Sequence, residues 1–296
     1  MRVLSLFDGI SCGRVALERA GIPVEAYAAY EVDEDAITVS RHNWPDIIQM
    51  GDVFAGTFSL FQGYDLLIGG SPCTHWSIAK GGGGRETEAS GIGWDLFSQY
   101  VRAKRESGCP WFLYENNASM SLAIREQITE CLGVEPVLIN SADFSAQERK
   151  RLYWTNIPIA PWEPSGLVFS DIMEPDGFRT RSIAQYRDTY RWSADGKRLA
   201  WDTSGKGYYS QEHRARTPDS KMGAVCAGRA QDKGHVWLGD DTIRIIKMSE
   251  LEKLQTLPVG YTDCLKSNER RGKGIGNGWT VDVIAHILKG LKNESS

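Results

Sequence analysis

The chain predicts an α/β protein built on a doubly wound, mixed but mostly parallel sheet, with a small irregular lobe set apart from it. Three observations carry that expectation. Short apolar runs alternate with helical stretches over roughly the first 155 residues, and acidic or thiol side chains fall where the apolar runs end. The alternation then stops between Pro158 and Asp241 and resumes at Met248. With 296 residues, 41% of them apolar and 24% charged, the chain has the length and composition of one large globular domain carrying an insert.

Taken in order, Val3 to Phe7 is a first strand, and Asp8-Gly9-Ile10-Ser11-Cys12-Gly13 turns into a helix from Arg14 to about Ala20. Gly21-Ile22-Pro23 ends that helix. Val24 to Tyr30 is a second strand that delivers Glu31, and Asp33 to His42 a helix stopped by Asn43-Trp44-Pro45. Ile47 to Met50 is a short third strand leading to Gly51-Asp52-Val53. The apolar run Tyr64-Asp65-Leu66-Leu67-Ile68 reads as a buried fourth strand. Behind it come Gly69-Gly70-Ser71-Pro72-Cys73-Thr74-His75-Trp76-Ser77, then Lys80 and four glycines from Gly81 to Gly84.

A helix from about Trp94 to Glu106 follows, then a fifth strand, Trp111 to Tyr114, ending at Glu115-Asn116-Asn117. A helix near Ser121 to Leu132 and strands at Pro136 to Ile139 and Leu152 to Thr155 complete the alternation. Met248 to Leu257 is helical up to Pro258. Trp279 to Leu291 is an amphipathic closing helix, entered through Gly274-Ile275-Gly276-Asn277-Gly278. The expected division is a main domain of residues 1–157 plus 242–296 and a lobe of residues 158–241.

Several classes are excluded. No run of 18 apolar residues exists to span a membrane. Met1 opens directly into a strand and not into a signal peptide. Six cysteines without a CxxC pair, beside five scattered histidines, fit a reducing cytosol and no metal site. No GxxxxGK[ST] loop is present, which argues against a nucleoside triphosphate. A net charge of -4 means that any nucleic-acid surface must be a local basic patch on an acidic body.

In doubly wound sheets ligands lie beyond the carboxyl ends of the strands, and Asp8, Glu31, Asp52, Cys73 and Glu115 are all expected there. The turn at Phe7 to Gly13 lets a ligand approach the backbone at a helix start; alone it is as often a tight connection. Glu31 suits ribose hydroxyls and Asp52 an adenine amino group, although each alone reads equally as a cap or turn residue. Together they describe an adenosine pocket. Cys73 as a thiolate can add to an electron-poor ring, and the Glu115 carboxyl can hold a ring nitrogen as charge develops; a lone cysteine is more often inert and a lone glutamate often a cap. Gln147-Glu148-Arg149-Lys150-Arg151 puts two arginines on one face of an extended segment, suited to phosphate or carbonyl contacts or to a solvated basic edge.

These pieces, in this order, resemble the DNA (cytosine-5)-methyltransferase family, most of all the catalytic domain of the eukaryotic de novo enzymes. The resemblance rests on Leu4-Ser5-Leu6-Phe7-Asp8-Gly9-Ile10, Glu31-Val32 with Asp35-Ala36-Ile37-Thr38-Val39, Gly51-Asp52-Val53, Gly69-Gly70-Ser71-Pro72-Cys73 and Glu115-Asn116. It continues through Gln147-x-Arg149-x-Arg151, Pro258-Val259-Gly260-Tyr261-Thr262-Asp263 and Gly278-Trp279-Thr280-Val281, so it covers nearly the whole chain outside the lobe.

The resemblance implies a Rossmann-like fold and an S-adenosylmethionine pocket lined by Phe7, Asp8, Gly9, Ile10, Glu31, Val32, Asp52, Val53, Pro72, Asn277 and Trp279. It implies that Cys73 attacks C6 of a flipped cytosine while Glu115 holds N3, and that Arg149 and Arg151 contact the cytosine carbonyl and backbone. Double-stranded DNA would be met by Ser77, Ile78, Ala79, Lys80 and Arg85 after the cysteine, and by Arg214, Arg216 and Arg229 in the lobe, with Lys221, Arg270, Arg271 and Lys273 as further cations.

Two positions depart from the family. Asn117 stands where valine usually follows Glu-Asn, and Asn277 where the animal de novo enzymes have arginine. The second departure, with the chain's size, points to a compact prokaryotic or viral relative acting in a cytoplasm. A catalytically inactive DNA-binding relative should lack the Pro-Cys or Glu-Asn pairs, and both are present. A tRNA cytosine-5 methyltransferase is the alternative within the family. A thiol hydrolase would need a histidine base, for which His75, His42 and His213 are the candidates. The recognised bases, a homo-oligomer and a restriction-enzyme partner are left open by the sequence.

Overall fold

A run of residues buried on both faces is what a central parallel strand requires, and β1 (Arg2–Leu6) is one: Val3, Leu4 and Leu6 are fully shielded. The computed structural model describes residues 1–72, 76, 86–210, 212–227 and 234–293. It divides into one unit of Met1–Asn140, Lys150–Trp162 and Val281–Ser296, and a second of Ser141–Arg149 and Glu163–Thr280.

The first unit holds β1, α1 (Cys12–Arg19), β2 (Ala26–Tyr30), α2 (Glu34–Asn43), β3 (Ile48–Gln49), β4 (Leu66–Gly69), α3 (Gly91–Ser107), β5 (Trp111–Asn117), α4 (Leu122–Leu132) and β6 (Val137–Asn140). After β7 (Gln147–Glu148), which belongs to the second unit, β8 (Lys150–Thr155) returns to the sheet. The strand order is β3-β2-β1-β4-β5-β8-β6. β1 lies parallel to β2 and β4, and β4 to β5, while β8 runs antiparallel between β5 and β6. This is the expected doubly wound, mostly parallel sheet. Its order reverses between β1 and β4, the place where such sheets bind ligands.

Local chemistry fixes the helix starts. Asp33 accepts from the amides of Asp35 and Ala36 at the head of α2, and Ser121 from that of Ile124 at the head of α4. Under the sheet, Phe97, Tyr100, Tyr114 and Trp154 form a buried aromatic stack, with Tyr100 and Tyr114 4.8 Å apart and Tyr114 and Trp154 5.8 Å apart. Each such ring contributes about 1.5–3 kcal/mol through burial. Two boundaries differ from expectation. β5 continues through Asn117, so Glu115 sits inside the strand and not beyond its end, because pairing with β8 carries the ladder further. The expected closing helix is two short ones, α7 (Val281–Leu288) and α8 (Gly290–Asn293), after α5 (Met248–Leu254) and α6 (Asn268–Asn277) of the second unit. α7 is tied to α1 by Arg19 and Asp282 at 2.7 Å.

In the second unit, β9 (Arg179–Ser182), β10 (Arg191–Trp192), β11 (Arg198–Ala200), β12 (Arg214–Arg216), β14 (His235–Gly239) and β15 (Thr242–Ile245) form a six-stranded sheet in the order β10-β11-β12-β14-β15-β9. β13 (Met222–Gly223) pairs with β7. The sequence showed no period here because strands of two to five residues are too short to display alternation. Ile183, Leu199, Trp201, Ala215 and Ile243 fill one face of the unit, and Phe169, Val236, Leu251, Leu254 and Ile275 a second cluster. A fully buried ion pair, Arg244 with Glu250, lies in the same unit. The glycines before Asn277 fall within α6 and not ahead of a helix. A Cβ on Gly276 would come within 2.4 Å of the Cys226–Ala227 backbone, so only glycine lets helix and chain meet.

Candidate active site

The turn after β1 is held in an uncommon shape. Phe7, Gly9 and Ser11 all take left-handed backbone angles, with φ of 57°, 59° and 61°. For the two residues other than glycine that conformation costs about 1–3 kcal/mol each, so side chains must fix it. Glu31, at the end of β2, does part of this: one oxygen accepts from the Gly9 amide at 2.8 Å, the other from the amides of Val32 and Asp33, each at 2.8 Å. Asp8 lies below, accepting the hydroxyls of Ser5, Tyr27 and Ser11. Burial raises its carboxyl above the ordinary carboxylate range; the three hydroxyls pull it down and the charge of Glu31 adds to the rise.

The turn therefore presents a half-buried Phe7 and Gly9, whose missing Cβ would meet nothing within 4 Å. Beside them stand Glu31 and an exposed Val32. Ile10 and Val53 are buried beneath. Asp52 is exposed and caps the turn at Val53–Ala55 by accepting from Phe54 at 2.9 Å. An apolar ledge, an open backbone and two carboxylates match an adenosine with its ribose. A carboxylate has about four acceptor positions, and three of those on Glu31 are filled, leaving one for a ribose hydroxyl. These residues fit S-adenosylmethionine.

On the neighbouring strands, Glu115 is nearly buried and its Oε1 lies 2.9 Å from Nε of Arg151. The β5–β8 register sets this up: Arg151 is opposite Asn117 and diagonal to Glu115, on one face of the sheet. The next residue, Asn116, donates to the Ser71 carbonyl at 3.1 Å, and Ser71 and Tyr114 share their hydroxyls at 2.7 Å. Burial pushes the Tyr114 phenol up, so it remains a neutral hydroxyl. Asn117, where the family has valine, donates to Asn116 Oδ1 at 3.1 Å and accepts from Ser119, so the polar replacement is satisfied. Pro72 follows Ser71 and is exposed.

The second unit carries the remaining residues. Arg149 is buried and donates to the carbonyls of Val225, Gly276 and Gly278, which flank Asn277; Asn277 is exposed at the end of α6, and Trp279 is half-buried. Arg216 is tied to Glu148 and to the Lys221 carbonyl, both at 2.8 Å, whereas Arg214 is exposed, with one bond to Tyr209. Cys73, Ser77, Ile78, Ala79, Lys80, Arg85 and Arg229 lie outside the described residues, as does His75. Sequence reasoning missed Tyr27, Tyr114 and Ser71; both tyrosines sit in apolar strand runs, where only their hydroxyls hint at a polar task. Among the described residues no group of three His, Cys, Asp or Glu is placed to hold a metal, and no helix is long and apolar enough to cross a membrane.

The fold is the Rossmann-like one of the S-adenosylmethionine-dependent methyltransferases. Residues 1–161 match the family model described as C-5 cytosine-specific DNA methylase. An orphan methyltransferase of Bacillus phage SPR is 28% identical over 239 residues, 73% of this chain and 54% of that protein. Another, of Bacillus phage rho11s, is 28% identical over 218 residues, 67% and 42% of the two chains. The chain thus spans about half the length of these relatives.

Among solved structures, the S. pombe Dnmt2 methyltransferase matches in fold with a TM-score of 0.70 at 17% identity, covering 100% of this chain and 99% of that one. A putative DNA modification methyltransferase encoded in an E. coli prophage gives 0.65 at 18% identity, covering 99% of each. The chain belongs to the C-5 cytosine-specific DNA methylase family.

Proposed function

We propose that the chain transfers a methyl group to C5 of a cytosine flipped out of double-stranded DNA, through a bond between Cys73 and C6. The observation that carries this reading is the joining of two strand ends. Glu115 is held by Arg151, and its neighbour Asn116 is bonded to Ser71, two residues before Cys73. Glu115 lies on β5, and the segment that leads in sequence to Cys73 leaves the adjacent parallel strand β4.

In the proposed reaction the Cys73 thiolate adds to C6 and ring electrons move toward C5 and N3. The Glu115 carboxyl gives a proton to N3 as charge develops there and takes it back when the thiolate leaves, and Arg151 fixes the carboxyl. S-adenosylmethionine, when bound, supplies an electrophilic methyl group. Loss of the C5 proton and departure of the thiolate from C6 then restore the ring. Phe7, Asp8, Gly9, Ile10, Glu31, Val32, Asp52, Val53, Pro72, Asn277 and Trp279 are the proposed cofactor residues. Arg149 and Arg151 are proposed to contact the base, and Ser77, Ile78, Ala79, Lys80, Arg85, Arg214, Arg216 and Arg229 the DNA. Of the two lobe arginines described, Arg214 has the freer guanidinium. A cytoplasmic site of action follows from this reading.

The test is transfer of a labelled methyl group to duplex DNA, to RNA and with no polymer present. The expected result is label in DNA cytosine; label in RNA alone would favour the tRNA enzyme, and none at all the inactive relative. The pocket has its own test. Glu31→Ala takes the acceptor from a ribose hydroxyl and from the Gly9 amide, and charged hydrogen bonds contribute about 1.5–3 kcal/mol. Calorimetry should show cofactor affinity falling by roughly ten- to a hundredfold. An unchanged dissociation constant would take Glu31 out of the pocket.

A further inference from the structure

Three hydroxyls converge on one carboxylate beneath the cofactor turn. Ser5 and Tyr27 donate to Oδ1 of Asp8, each at 2.6 Å, and Ser11 donates to Oδ2 at 2.5 Å. Ser11 Oγ also lies 2.7 Å from Ser40 Oγ, so the two hydroxyls share a hydrogen bond. Ser40 in turn accepts from the Gln49 amide at 2.9 Å. Asp8 thus stands at the end of a hydrogen-bonded chain that passes through Ser11 and Ser40 to Gln49. Ser5 lies on β1, Tyr27 on β2 and Ser40 on α2, so the carboxylate ties the turn to three elements.

Asp8 and Ser11 belong to the segment in which Phe7, Gly9 and Ser11 are left-handed. Tyr27 stands opposite Val3 in the β1–β2 register and is 1% exposed. It is too deep to touch a ligand, and Asp8 is the partner through which its hydroxyl reaches the turn.

We propose that Tyr27, with Ser5 and Ser11, is a positioning residue for the cofactor, acting through the Asp8 carboxylate to hold the turn in the shape the ligand meets. The inference rests on the S-adenosylmethionine reading above. On this account Asp8 serves binding by shaping the backbone from below. Tyr27→Phe removes one donor while keeping the ring and its packing.

Calorimetry with S-adenosylhomocysteine tests this on the full chain without requiring turnover. Tyr27→Phe should weaken binding about five- to tenfold, and in methyl-transfer assays the loss should fall on KM for the cofactor more than on kcat. In an Asp8→Asn background, where the carboxylate is gone, the same Tyr27→Phe change should alter affinity less than twofold. Affinity within twofold of wild type in Tyr27→Phe alone, or an equal loss in both backgrounds, would overturn the proposal. If Tyr27→Phe shows no cooperative melting transition, Ser5→Ala, which removes the other donor to Oδ1, carries the same expectations and the same refutations. A wild-type chain that binds no S-adenosylhomocysteine would instead overturn the cofactor reading itself, and this inference with it.

Discussion

Cys73→Ser is expected to lower methyl transfer to cytosine by more than a hundredfold while cofactor affinity stays near that of the wild type. A serine hydroxyl is not ionised near neutral pH, so it cannot add to C6 and drive electrons onto C5 as a thiolate does. A hundredfold corresponds to about 2.7 kcal/mol of barrier, the least a covalent step should supply. The proposed cofactor residues Phe7, Glu31 and Asp52 follow β1, β2 and β3, which is why binding should survive. Retention of more than about a hundredth of the rate would remove Cys73 from the role of nucleophile.

The largest effect on stability is expected at Glu250→Ala. Glu250 and Arg244 are both fully buried. One oxygen of Glu250 takes Nη2 of Arg244 at 2.6 Å and the Glu174 amide at 2.8 Å, and the other takes Nη1 at 2.9 Å and the Lys247 amide at 2.8 Å. The guanidinium also lies 4.3 Å from the Phe178 ring. Removing the carboxylate leaves a buried cation and two amides without that acceptor, which costs about 3–5 kcal/mol. Melting of the second unit should fall by on the order of 10 °C. The paired change Arg244→Met with Glu250→Leu should cost less than Glu250→Ala alone, because no charge is then stranded. A single variant melting within a degree or two of wild type would show that the pair is not needed.

How much could be read beforehand depended on the length of each signal. The alternation of β1 to β5 with α1 to α4 was legible because β1, β2, β4 and β5 are mostly apolar runs of four to seven residues that are almost wholly buried, while β3 is only two residues long. The carboxylates at 8, 31 and 52 were legible because strand ends follow from that alternation. Glu115 was placed beyond a strand that in fact runs to Asn117, since antiparallel β8 extends a ladder that local sequence cannot announce. The six-stranded sheet of the second unit was not legible. Its strands are short, and Arg244, buried on β15 beside the edge strand β9, reads as a surface residue until Glu250 is seen beside it. The bonds of Arg149 to the Val225, Gly276 and Gly278 carbonyls were not legible, because they join segments far apart in sequence. Tyr27 was hidden for a related reason: its hydroxyl bonds to Asp8, nineteen residues earlier.

The central claim is a covalent bond between Cys73 and C6 of a DNA cytosine, and duplex DNA carrying 5-fluorocytosine tests it most directly. Once the methyl group is on C5, fluorine cannot leave as the proton does, so the thiolate cannot depart and the adduct stays. Incubated with S-adenosylmethionine, the wild-type chain should gain the mass of the DNA plus one methyl group, in a species stable to denaturation, and peptide mapping should place the link on Cys73. Cys73→Ser should give no such species. A wild-type chain that methylates cytosine in DNA yet forms no adduct, or forms one on another residue, would contradict the account.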